Sequence, residues 1–149
     1  MKIVVDTNIV FSALLNSNSR IGKILLNSKA HFQFYTCYYL RTELQKHRNR
    51  LLKLTNLAEA NLTELETLIT QPITFIDERL LSQDLLLTTE VLLKSIDPND
   101  TPFVALTTHL EGKLWTGDMQ LYNGLKAKRF FDVITTAELS SLLEDLEQK

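Results

Sequence analysis

The chain has 149 residues, 44% of them apolar and 23% charged, with 16 Lys and Arg against 18 Asp and Glu for a formal net charge of −2. That size suits a single domain over residues 1–149, undivided by any linker, repeat or low-complexity tract. Bulk charge excludes a generally basic nucleic-acid binder, the lone Cys37 excludes an intrachain disulfide, and no apolar run approaches the ~20 residues of a membrane span.

The first element is Lys2-Ile3-Val4-Val5, a β-branched run that ends in Asp6-Thr7-Asn8. A continuous apolar run reads as a strand buried on both faces, as in a parallel sheet. Immediate entry into a strand leaves no room for a signal peptide, so a cytoplasmic protein is expected. Asp6, Thr7 and Asn8 are all candidate caps for the helix that follows to Leu15, and Asn16 to Ser19 is a turn cluster. Ser19 then caps a helix carrying Ile21, Ile24, Leu25 and Leu26. Phe32 to Thr36 reads as a second strand, and Leu40, Leu44, Leu51 and Leu52 predict one helix over residues 38–54. Another helix over 57–69 stops before Pro72, followed by a third strand at 73–76.

Residues 77–94 are helix-rich in pattern. Asp97-Pro98-Asn99-Asp100-Thr101-Pro102 is a turn that leads into a helix with Pro102 in its first turn. Glu111-Gly112 ends that helix; 113–116 is a fourth strand stopped by Gly117-Asp118. A short helix, a fifth strand at 131–134 and a last helix capped by Thr135 or Thr136 complete the chain. Alternating strands and helices predict an α/β fold with a parallel sheet covered by helices on both faces and right-handed crossovers.

Such a sheet puts its ligands at the carboxyl ends of the strands. Asp6 and Asp118 each follow a strand. Asp100 opens a helix that must run back antiparallel to the strands, and Glu43 lies near the start of the helix after strand two. Singly, these residues read as helix caps, a turn residue and a surface acid. Together they place four carboxylates at one sheet edge, and like charges so close need a cation. Oxygen-only donors favour Mg²⁺ or Mn²⁺, whereas Cys37, His31, His47 and His109 lack the spacing of a zinc site.

Asp6-Thr7-Asn8 after the opening strand, Glu43-Leu44, Asp100-Thr-Pro-Phe-Val-Ala-Leu and Lys113-Leu-Trp-Thr-Gly-Asp118 together resemble a PIN domain. The resemblance covers nearly the whole chain and is most specific from Asp97 to Asp118. It implies a three-layer α/β/α sandwich with a central parallel sheet of four or five strands in the order 3-2-1-4-5. It also implies a metal-dependent endoribonuclease, VapC-like toxins with a small antitoxin partner among its members. Asp6, Glu43, Asp100 and Asp118 match the catalytic, metal-holding acids, and Asn8 and Thr116 the residues that orient them; Asp97 is a neighbour of open role. The resemblance further implies Mg²⁺ or Mn²⁺ as cofactor, RNA cleavage leaving a 5′-phosphate, and a homodimer.

His47, Arg48 and Arg50 belong to a basic run, which also contains Arg41, Lys46 and Lys53, on the Glu43 helix. They are candidate RNA-backbone contacts, His47 and Arg50 foremost because they lie one and two turns from Glu43. Trp115 and the phenylalanines fall in core-type patterns. Two other readings stay in view. A haloacid-dehalogenase-like phosphatase needs a second Asp where Asn8 stands and a catalytic Lys that the chain does not supply. A PIN-like module that binds protein or RNA without cutting it would share the same acids.

Overall fold

The computed structural model describes all residues, Met1–Lys149. Five parallel strands, β1 (Lys2–Val5), β2 (Gln33–Cys37), β3 (Ile73–Ile76), β4 (Lys113–Trp115) and β5 (Val133–Ile134), form one sheet in the order β3-β2-β1-β4-β5. This is the expected topology. The strand with the longest β-branched run takes the centre: Ile3, Val4 and Val5 are wholly buried because β2 and β4 flank β1 while helices cover the sheet. The chain builds outward from β1 to β3, then returns to place β4 on the other side of β1. The switch point, where such sheets bind ligands, therefore lies between the carboxyl ends of β1 and β4.

The helices are α1 (Thr7–Leu15), α2 (Arg20–Asn27), α3 (Tyr39–Lys46), α4 (Arg48–Thr55), α5 (Glu59–Thr70), α6 (Gln83–Leu93), α7 (Thr101–Leu110), α8 (Met119–Ala127) and α9 (Thr136–Glu147). Helix α1 packs among α2, α3, α4 and α5, whereas α7 lies on β1, β2 and β4 with α6 against it, giving the α/β/α arrangement. Local sequence sets several ends directly. Ser19 caps α2 through the Gly22 N–H, and Thr135 with Glu138 forms a reciprocal capping box on α9. Trp115 is fully buried and its indole N–H donates to Thr136 Oγ1 at 3.0 Å, so its bulk joins the core without an orphaned donor.

Two local expectations differ from the structure. The helix over 38–54 is two helices, broken at His47, whose φ of −101° and ψ of 10° leave the helical region. No Gly or Pro marks the break; the His47 ring sits edge-on to Phe11 of α1, a tertiary contact with no local signature. The fifth strand is only Val133–Ile134, with Phe131 exposed. Helix α7 ends as expected at Glu111-Gly112, but Glu111 itself takes the left-handed conformation, with φ of 56°. Gly112 is required for close approach, since a Cβ there would come within 2.6 Å of the Lys2 carbonyl oxygen. No helix is long and apolar enough to cross a membrane.

Candidate active site

Strand register brings the first two acids together. Val5 pairs with Trp115, so Asp6 follows beside Thr116, and the Asp6 N–H donates to the Trp115 carbonyl at 3.3 Å. Asp6 is buried and caps α1, its Oδ1 accepting from the Ile9 N–H at 3.3 Å. Asp118 caps α8, its Oδ1 accepting from the N–H groups of Gln120 at 3.0 Å and Leu121 at 3.2 Å. Thr116 Oγ1 accepts from the Asp118 N–H at 3.0 Å, and Asn8 Oδ1 accepts from the Gly117 N–H at 3.0 Å. Asn8 thus ties the turn after β4 to the start of α1, which sets how Asp6 and Asp118 face each other.

Asp100 behaves differently. It occupies the N-cap position of α7, yet its side chain caps nothing, and Oδ2 is buried without a hydrogen-bond partner. Glu43, on α3, accepts from the Thr7 hydroxyl at 2.5 Å. Asp97 caps the short 3-10 turn Pro98–Asp100 through the Asn99 N–H at 3.0 Å.

Asp6, Glu43, Asp97, Asp100 and Asp118 line one cavity of about 340 Å³. Asp97, of open role in the sequence, is therefore part of the acidic wall, while Thr116 is fully buried beneath it. Burial pushes the Asp6 carboxyl up to about 8; the charges of Asp100 and Asp118 push the same way, against hydrogen bonding from the Thr116 hydroxyl and the Ile9 N–H. Asp100 is pushed up to about 7, by burial first and then by Asp97, Asp118 and Glu43. As the side chains stand, no three of them are close enough to share one ion, so the acids line a cavity rather than a closed cage. Their donors fit a hard divalent cation nonetheless: every atom offered is oxygen, and Asp100 brings a buried oxygen that no protein donor satisfies.

Thr7, Asn8 and Phe11 on α1, with His47 and Arg50, form the rest of the lining. Thr7 and Phe11 were not legible as site residues. Thr7 reads as one of three possible caps and Phe11 as core; the available signal was their spacing of four, which stacks them on one face of α1 just after Asp6.

Arg48 stands apart from this cavity. It turns to α5, pairing with Glu59 at 3.1 Å and Glu66 at 3.4 Å and donating to Thr63 Oγ1 at 2.7 Å. Helical position placed it in the basic run, but its carboxylate partners hold it toward α5 and outside the cavity lining. Arg48→Gln is expected to leave RNA affinity unchanged while lowering stability by about 1 kcal/mol. Filter binding and urea melts on one preparation check both halves.

The site and fold together define an α/β domain with an acidic cavity at the switch point of a parallel 3-2-1-4-5 sheet. The PIN domain family model matches residues 4–144, and the chain belongs to the PIN domain family. Among solved structures it is similar to VapBC2 from Rickettsia felis, crystallised bound to a DNA fragment from their promoter. The TM-score is 0.68 at 15% identity, over 91% of this chain and 97% of that one, a likeness of fold. No curated protein matches the chain.

Proposed function

We propose that this PIN domain is a Mg²⁺- or Mn²⁺-dependent endoribonuclease, with Asp6, Glu43, Asp100 and Asp118 holding the metal. The observation that carries this reading is the Asp100 carboxylate. An acid at a helix start that declines to cap the helix, and is buried with an unpartnered oxygen, is poorly explained by stability and well explained by a cation. Mg²⁺ or Mn²⁺ supplies charge neutralisation at the scissile phosphate and a water of lowered pKa.

The chain's own residues do the rest. The Thr7 hydroxyl holds Glu43 in one orientation, and Asn8 and Thr116 brace the turn that presents Asp118. Asp97 adds charge beside Asp100 and so strengthens the demand for a cation there. In the same lining Arg50 offers a positive charge and His47 a ring N–H, both suited to RNA phosphates.

The test is cleavage of a generic single-stranded RNA with Mg²⁺ or Mn²⁺. Cleavage abolished by EDTA, with p-nitrophenyl phosphate untouched, is the expected result. Intact RNA alongside turnover of the phosphate ester would favour the phosphatase, and inertness toward both would favour a silent binding module.

The VapBC2 neighbour supports a toxin role with a small antitoxin partner. A short DNA-binding reading frame immediately upstream, whose product co-purifies with this chain, is the corresponding observation. Exposed Leu87 and Val91 on α6 favour a homodimer as the further assembly.

A further inference from the structure

Phe11 is the only apolar residue lining the acidic cavity, and it is half-buried rather than sealed into the core. The Arg50 guanidinium lies over its ring, 5.3 Å from the centroid, and the His47 ring meets it edge-on at 6.2 Å and 88°. Arg50 makes no ion pair, although five acids share its cavity, whereas Arg48 and Arg79 are each paired with carboxylates. An exposed arginine chain is flexible, and without a carboxylate to hold it the ring face of Phe11 is what fixes its place. The guanidinium is thereby kept at the lining of the acidic cavity and outside any ion pair.

We propose that Phe11 is a positioning residue for substrate. Acting through Arg50 and His47, it orders the phosphate contacts that grip single-stranded RNA in the acidic cavity. This rests on the endoribonuclease reading above and adds to it the residue that orders the grip. Phe11 itself takes no part in the chemistry; its effect falls on substrate binding.

The experiment is a double-mutant cycle on Phe11 and Arg50. It reads the affinity for a short fluorescein-labelled single-stranded oligoribonucleotide by anisotropy, with Ca²⁺ in place of Mg²⁺. Phe11→Leu keeps the apolar bulk and loses the aromatic face. It is expected to weaken binding about three- to five-fold, as loss of an exposed cation–π contact does, with Phe11→Tyr restoring it. Arg50→Gln should weaken binding more, and adding Phe11→Leu to it should cost little further, because the ring acts through the guanidinium. In cleavage assays the Phe11→Leu loss should appear in KM with kcat nearly unchanged. Additive losses, wild-type affinity in Phe11→Leu, or no binding by the wild-type protein would each overturn the proposal. Failure of the wild-type protein to cleave RNA, with the binding cycle as expected, would instead count against the nuclease reading alone.

Discussion

Asp6→Asn should abolish RNA cleavage, lowering the rate by at least ~10²-fold, while the protein keeps its fold. The reasoning separates the two jobs of this side chain. As a cap, Asp6 needs only an oxygen that accepts from the Ile9 N–H, and the Asn amide oxygen supplies one at nearly the same place. As a metal-holding acid it needs its negative charge, which Asn lacks. Losing several kcal/mol of charge stabilisation corresponds to two or more orders of magnitude in rate. Asp118→Asn should behave alike, since the amide oxygen still accepts from Gln120 and Leu121. Cleavage assays beside circular dichroism and thermal melts read both variants. Full activity in either would remove that residue from the site.

Metal-free protein should lose stability as pH rises from about 4 to about 8. Asp6 is raised from 3.8 to about 8 and Asp100 from 3.8 to about 7 in the folded chain. Between the unfolded and folded values the folded state therefore binds more protons than the unfolded state, and stability falls with pH across that window. Burial is the leading cause for both groups, and ionising both also sets like charges against each other in one cavity. The summed effect is on the order of a few kcal/mol. Urea melts in EDTA should show a lower midpoint at pH 8.5 than at pH 5.5. Asp6→Asn should flatten the trend, because the amide does not ionise. Added Mg²⁺ should stabilise most above pH 7, where the carboxylates it binds are already ionised. An unchanged midpoint across this range in EDTA would show that neither acid is held protonated by its surroundings.

The legible parts of the molecule were those with local causes. The run Ile3-Val4-Val5 announces a central strand because burial on both faces removes alternation, and Ser19 and Thr135 announce helix starts because a side-chain oxygen meets an N–H two or three residues on. Asp6 and Asp118 could be placed at one edge because both follow strands of a parallel sheet. Asp100 was read as either a cap or a ligand; its failure to cap α7 is visible only once the burial of Oδ2 is known. The break at His47 had no marker: no Gly or Pro stands there, and the aromatic partner of its ring, Phe11, lies on α1 rather than within residues 38–54.

By itself, then, the sequence determined the strand and helix order, the sheet topology through its resemblance to PIN domains, and the acids that meet at the switch point. The element order and the shared edge of the acids follow from periodicity, caps and chain direction, all short-range properties, whereas the strand order is what the resemblance implies. Only the tertiary structure decided how the basic run divides, with Arg48 held by Glu59 and Glu66 and Arg50 left beside Phe11. It alone also brought Thr7 to Glu43 and Asp97 into the acidic wall. The physical reason is common to all of these: partner choice depends on which helices pack against α1 and α5, and no spacing along one helix encodes that.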